Sequence, residues 1–385
     1  MEDSTFYYPV LWLIVAAVGA CILVATNSIY QFRLRIAADP AASPQTLRQL
    51  GGLKRLRRLL EVLTAVLALG GIGAWYVDTS AAKKNLEARR QQLIPVFDEN
   101  RIWEAPDRYL AETDPAAKRI AYGRDLVVHT QDYFGPEGLV RPATINGLNC
   151  QSCHLDAGSK PYGNNYFAVA GTYPKMRARS GTLETIPKRV NDCFERSLNG
   201  MAIDSGSLEM QAILAYIRWL ATGVPKGKTP KGAGLPELPF LTRAADPARG
   251  ETVFAAKCAS CHGADGQGLP MPGSARRYPP LWGPKSFNAA AGLFRLSRFA
   301  GYVKANMPFG ASYRNPQLSD AEAWDVAAFV NSQPRPPHPF LDEDWPDISK
   351  KPFDHPFGPF ADSFPDTQHK YGPFGPVVAF YKSNK

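Results

Sequence analysis

From Phe6 to Tyr30 no side chain is charged, a run long enough to cross a bilayer as a helix. A second uncharged run, Val62 to Val77, is short alone, and Leu59 and Leu60 lengthen it across Glu61. Beyond about Asp78 the pattern changes to short amphipathic stretches separated by glycine- and proline-rich loops. "DPAAKRIAYGRDLVVHT" and "DPARGETVFAAK" each predict a helix opening at Asp-Pro. "SLEMQAILAYIRWLA" from Ser207 and "LSDAEAWDVAAFVNS" predict two more, the latter with Ser319 and Glu322 spaced as a capping box.

These stretches form an internal repeat. In each copy an Asp-Pro helix precedes a C-x-x-C-H motif, and a loop-rich middle leads to a closing amphipathic helix. The motifs are "CQSCH" (Cys150, Cys153, His154) and "CASCH" (Cys258, Cys261, His262). In C-x-x-C-H the two thiols add across the haem vinyl groups and the adjacent histidine takes the proximal iron position. A zinc half-site or a redox dithiol is the alternative reading of either motif alone. Two complete copies predict two covalently attached c-type haems (haem c, Fe) in two tandem cytochrome c-type domains, a mainly α fold.

The predicted organisation is then a transmembrane hairpin at 1–78, a polar, helical stalk at 79–111 continuing out of the membrane, and a first cytochrome c domain at 112–222. A Pro/Gly/Lys-rich linker at 223–247, a second domain at 248–332 and a tail at 333–385 follow. The tail is rich in proline and phenylalanine and repeats "PFGP", which predicts that it packs over the domains.

Charge sets the orientation. Between the two apolar runs lie Arg33, Arg35, Arg48, Lys54, Arg55, Arg57 and Arg58 against one acid, Asp39. The positive-inside rule places that loop in the cytoplasm and everything after about Asp78 in the periplasm, where haem attachment takes place. A cleavable signal peptide fits less well: the N-terminus is acidic, the positive charge follows the apolar run, and a second run comes next. Cys21 reads as a small apolar residue within the first run. The chain of 385 residues is 45% hydrophobic with a formal net charge of +9. Nothing beyond that charge supports a nucleic-acid partner.

The sixth iron ligand decides what each haem does. For the second haem the candidates are Met271, too close to His262 to reach the other face, and Met307 in "ANMPFG", with Lys304 a nitrogen alternative. Met307 is preferred. For the first haem Met176, Cys193, Met201 and Met210 compete. Met210 lies within the closing helix and reads as core, and Met176 follows His154 closely. Cys193 and Met201 both lie about as far past His154 as Met307 lies past His262, and spacing does not separate them. A buried thiolate beside a ferric iron binds it, which also explains a lone cysteine in an exported chain, so Cys193 is the first choice.

"NCQSCH", "RVNDCFERSLNGM", "CASCHG", "PPLWGPKSFN", "ANMPFG" and "KYGPFGP" together resemble the dihaem thiosulfate dehydrogenases, the tetrathionate-forming cytochromes c. The resemblance covers roughly residues 100 to 380. It implies His154 and Cys193 as axial ligands of an active-site haem, and His262 and Met307 at an electron-relay haem. It also implies two arginines and a serine at the substrate, matched here by Arg179, Arg189 and Ser197. The two apolar N-terminal runs lie outside the resemblance. So does Asn306, which stands where some members carry a lysine that exchanges with the methionine.

The chemistry suits the residues. Joining two thiosulfate dianions into tetrathionate releases two electrons, and arginine forks offset the repulsion between the anions. The segment from Lys175 to Arg196 holds Lys175, Arg177, Arg179, Lys188, Arg189 and Arg196 against Glu184, Asp192 and Glu195. A solvated basic face or partners for haem propionates is the plain alternative. Cys193 is suited to iron ligation and to carrying a sulfane sulfur. The expected partners are thiosulfate and tetrathionate, with a downstream acceptor, either a cytochrome c or a membrane terminal oxidase docked through the hairpin. Three other functions compete: a membrane-tethered dihaem electron carrier without catalysis, a dihaem peroxidase, and a cysteine-ligated cytochrome that conjugates thiosulfate to a carrier protein. The carrier leaves Cys193 and the arginines without a role, the peroxidase lacks a matching distal acid, and the conjugating enzyme calls for a partner subunit.

Overall fold

The computed structural model describes residues 7–38, 43–106 and 116–383, which form two compact units, Met1–Gln92 and Leu93–Lys385. The first unit is helical. Helix α1 spans Tyr7–Ala37 and α2 spans Pro44–Leu93. The two run antiparallel: Thr64 packs on Gly19, and Arg57 donates to Asn27 at 2.9 Å while lying over the Tyr30 ring. Their outward faces carry exposed Val18, Ile29, Val62, Val66, Leu69 and Ile72. Among the described residues one helix, within Gly51–Leu93, is long and apolar enough to cross a membrane.

Helix α2 continues past residue 78 to Leu93, so the stalk is helical over residues 79–93, and its described residues 94–106 are not helical. Residues 94–106 then lie on the second unit. Trp103 is buried and its indole N–H donates to the Leu220 carbonyl at 3.3 Å, and Ile102 pairs with Lys231. The rest of the stalk, residues 107–111, and the Asp114–Pro115 helix start lie outside the described residues.

The second unit is mainly α and holds two cytochrome c domains. In the first, α3 (Ala117–Val128) crosses α5 (Leu208–Leu220), with α4 (Ile186–Asp192) between them in sequence. In the second, α6 (Pro247–Lys257) crosses α8 (Asp320–Ser332), with α7 (Leu296–Asn306) before the latter. Capping explains where these helices start. Asp246 accepts from the Ala248 N–H at 2.9 Å, Ser207 accepts from Met210, and Ser319 and Glu322 form the expected capping box.

The repeat extends to the helix crossings. A Cβ on Gly123 would strike the Ala212 carbonyl, and one on Gly250 would strike Asp325, so each crossing is close because glycine stands there. Burial of Leu126, Phe134, Phe194, Met210, Ile213 and Ile217 builds the first core. Phe254, Trp282, Phe299, Trp324 and Val330 build the second. Among the described residues the one sheet is a two-stranded ribbon, β1 (Lys175–Arg177) antiparallel to β2 (Thr182–Glu184), with Met176 opposite Leu183.

Residues 223–247 are fastened along their length. Gly232 and Gly234 carbonyls accept from Tyr162 and Asn164 N–H groups, and Pro239 accepts from the Trp324 indole at 3.0 Å. The described residues after Gln333 pack on both domains. Arg335 sits over the Phe287 and Phe294 rings at 4.2 and 4.6 Å, and Asp354 takes the Arg295 guanidinium and the Ser297 hydroxyl. Helices α9 (Asp366–Tyr371) and α10 (Phe374–Ser383) end the chain, with Phe374 packed on Trp324 and Phe353.

Candidate active site

Each C-x-x-C-H motif winds as a short helical turn, with the His154 N–H donating to the Cys150 carbonyl and that of His262 to the Cys258 carbonyl. His154 Nδ1 bonds the Asn164 carbonyl, and His262 Nδ1 bonds the Pro279 carbonyl at 3.0 Å. A carbonyl can only accept, so Nδ1 carries the proton and Nε2 is left free in both rings, as a proximal haem ligand requires. Burial pulls His154 down to about 4 and lowers His262, which keeps both imidazoles neutral for metal binding. Asp156, Ala157, Tyr162 and Asn164 all adopt left-handed backbone, and this strained loop delivers the Asn164 carbonyl to His154. Tyr166 lies against the His154 ring, centroids 4.5 Å apart. All four motif cysteines are free of disulfides. The donor sets fit two c-type haems.

Cys193 sits where α4 gives way to a π-helical turn, Cys193–Ser197. Such turns insert one residue into a helix and re-aim the side chains around it. Cys193 is half-buried, while Phe194 beside it is fully buried and meets Phe134 edge to face. Burial pushes the Cys150 and Cys153 thiols up to about 12, and the charge of Cys193 adds to both shifts. Arg189, one turn earlier, is raised above the ordinary arginine range, chiefly by its electrostatic interaction with Cys193. Ser197 is half-buried at the end of the π-helical turn.

The basic segment is more fully paired than its composition suggests. Arg179 donates to Asp192, and Arg189 and Arg196 each come within 3.9 Å of the same carboxylate. Burial lowers Arg179, and Asp192 opposes that shift. Arg177 pairs with buried Glu184 at 2.6 Å, and Lys188 donates to Thr182. Arg196 forms a two-pronged pair with Asp344 at 2.6 and 2.9 Å, and the Trp345 N–H donates to the Arg179 carbonyl. Asp192 and Asp344, the carboxylates that pair with these arginines, are the site residues that the sequence did not single out. Asp192 adjoins Cys193 and was counted only as a charge. Asp344 lies 148 positions from Arg196, and no spacing signal connects them.

The other ligand candidates fall into different places. Met307 ends α7, half-buried against the second core. Met201 and Met176 are 50% and 68% exposed, and Met210 is in the first core. The Lys304 ammonium is held by the Leu318 carbonyl and Asp320. Asn306, next to Met307, is buried, and its amide donates to the Tyr162 and Tyr302 carbonyls, both at 3.0 Å. Helix α7 also reaches the first attachment motif, where the Tyr302 hydroxyl donates to the Ser152 carbonyl.

Two covalent-haem motifs with neutral, correctly oriented histidines in paired helical domains define a dihaem c-type cytochrome. A SoxA/TsdA cytochrome c domain model matches residues 140–225, and a cytochrome c model matches 247–334. The thiosulfate dehydrogenase of Allochromatium vinosum is 40% identical over 60% of this chain and 81% of its own length. That of Thiomonas intermedia is 34% identical over 74% of this chain and 87% of its own. The structure of the Marichromatium purpuratum thiosulfate dehydrogenase (TsdBA), as isolated, is 34% identical with a TM-score of 0.56, covering 62% of this chain and 50% of that one. The chain belongs to the thiosulfate dehydrogenase family.

Proposed function

We propose that this protein oxidises two thiosulfate ions to tetrathionate at the first domain and passes the electrons outward through the second. One observation carries the reading: in a member of this family, three arginines gather around the turn that presents Cys193. Two S2O3 dianions lose one electron each and join through a new S–S bond, giving S4O6 with two negative charges and releasing no proton. When bound, the two haems supply one-electron acceptors for that pair of electrons.

Cys150, Cys153, His154 and Cys193 would hold the first haem, and Cys258, Cys261, His262 and Met307 the second. The exposure of Met201 favours Cys193 at the first, and the engaged ammonium of Lys304 favours Met307 at the second. Thiolate ligation lowers a haem potential and methionine raises it, so this ligand set drives electrons from the first domain to the second. Arg179 and Arg189 bind the thiosulfate oxygens and offset the repulsion between the anions, with Ser197 donating a further hydrogen bond. Asp192 draws the arginines together and orients them, and Asp344 fixes Arg196 behind them.

We place the two domains at 112–222 and 248–332; the matched segments, 140–225 and 247–334, lie largely within them. The apolar faces of α1 and α2 and the basic loop between them support an anchor of two spans in the cytoplasmic membrane, with both haem domains in the periplasm. An anchored enzyme delivers electrons to a cytochrome c or to a membrane oxidase docked on those helices. Mild-detergent purification tests that docking by co-elution of an oxidase.

Cys193→Met tests the catalytic role. Both haems stay attached, while thiosulfate-dependent reduction of an external acceptor falls at least ~100-fold, corresponding to about 2.7 kcal/mol. Near-wild-type turnover would return the chain to a carrier role.

A further inference from the structure

Several buried side chains of the second domain bond the first, and one of them meets the turn that carries Cys193. Asn288, in the loop before α7, is 1% exposed. Its Nδ2 donates to the Glu195 carbonyl at 2.8 Å and to Asn199 Oδ1 at 3.1 Å, and its backbone N–H donates to the Arg196 carbonyl at 3.1 Å. The last carbonyls of a helix have no helical donors. At the end of the Cys193–Ser197 turn those donors come from another domain, 93 positions along the chain.

The orientation of the amide is set by chemistry. Nδ2 faces two oxygens that here accept, and Oδ1 accepts the Ala290 N–H at 3.1 Å. The loop also touches the segment that leads into the first attachment motif. The Ser286 carbonyl accepts from Asn146 Nδ2 at 2.9 Å, just before Cys150, and the Asn146 N–H donates to the Leu198 carbonyl at 2.9 Å. The loop is itself fixed from behind, by Ala289 N–H to the Pro336 carbonyl and by Arg335 over Phe287.

We infer that Asn288 is a positioning residue for the first haem site: it holds the π-helical turn in the shape that points Cys193 at the iron. The inference rests on Cys193 being that ligand. It makes the thiosulfate site a product of both domains, since the first alone lacks the donors that end its ligand-bearing turn.

Asn288→Asp separates this role from a local one. Aspartate keeps the size and the acceptor for Ala290, and replaces the two N–H donors with an oxygen facing Glu195 O and Asn199 Oδ1. The test uses the full-length, haem-loaded protein in detergent, with wild type, Asn288→Asp and Asn288→Ala compared by low-temperature EPR, visible spectroscopy and thiosulfate kinetics. With both hydrogen bonds lost and a carboxylate facing two acceptor oxygens, the expected result is a roughly tenfold fall in kcat. The thiolate-type ferric signal falls below half, the far-red methionine–sulfur band of the second haem is unchanged, and Asn288→Ala lies between Asp and wild type. An Asn288→Asp protein with a wild-type thiolate signal and kcat overturns the inference. Loss of both haem signatures also overturns it, by showing a general folding role. A wild type without the thiolate signal overturns the ligand reading on which the inference stands.

Discussion

The two cytochrome domains share a helical plan, a glycine at the main helix crossing and a proximal histidine held by a backbone carbonyl, yet their far sides differ. In the second, α7 ends directly in Met307, and the cation nearby, Lys304, is neutralised by Asp320. In the first, the corresponding stretch is opened by a π-helical turn, carries Cys193, and is ringed by Arg179, Arg189 and Arg196 around Asp192. The proximal geometry is therefore a shared means of holding haem, and the chemistry that sets one domain apart is built on the other side. The first domain also borrows more: Asn288 from its neighbour, and Asp344 and Trp345 from the residues beyond Gln333.

The sharpest way to break the comparison is to remove a cation from the first domain only. Arg189→Ala should lower kcat/KM for thiosulfate by ~10- to 100-fold, since a hydrogen bond to a charged group is worth about 1.5–3 kcal/mol. The methionine–sulfur band of the second haem should not change, and steady-state kinetics with visible spectra of the same samples check both.

A smaller effect belongs to the residues that cover the second domain. The Asp354 carboxyl is depressed, by the Arg295 guanidinium and by hydrogen bonds from Ser297, against a burial cost that works the other way. A depressed carboxyl contributes stability that is complete above its unfolded value, near pH 4, and is lost as pH falls toward the lower folded value. Asp354→Asn should therefore cost about 3 kcal/mol near neutral pH and progressively less as the medium is acidified. Thermal melts from pH 7 to pH 3 measure this, and an equal cost at every pH would contradict the assignment.

Much of this arrangement was legible before the structure. The haem motifs, the capping box at Ser319 and Glu322 and the core position of Met210 all depend on residues close together in sequence. What stayed hidden depends on contacts across space. Asp192 looked like one acid among several because its three arginine partners converge only when β1, β2 and α4 fold together. Asn288 lies in "PPLWGPKSFN", a segment noticed for its resemblance, but its donors find their acceptors in another domain. The helical stalk expected from residue 79 onward is present as a continuation of α2 to Leu93, because a helix persists while its backbone pattern allows it, whatever its polarity.

The central claim is that Cys193 is the sixth ligand of the first haem. Low-temperature EPR and visible spectroscopy of the purified protein, wild type beside Cys193→Ala, test it most directly. The account predicts a low-spin thiolate-type ferric signal together with a methionine-ligated haem in the wild type, and loss of the first alone in the variant. Two methionine-ligated haems, unchanged by the substitution, would contradict it.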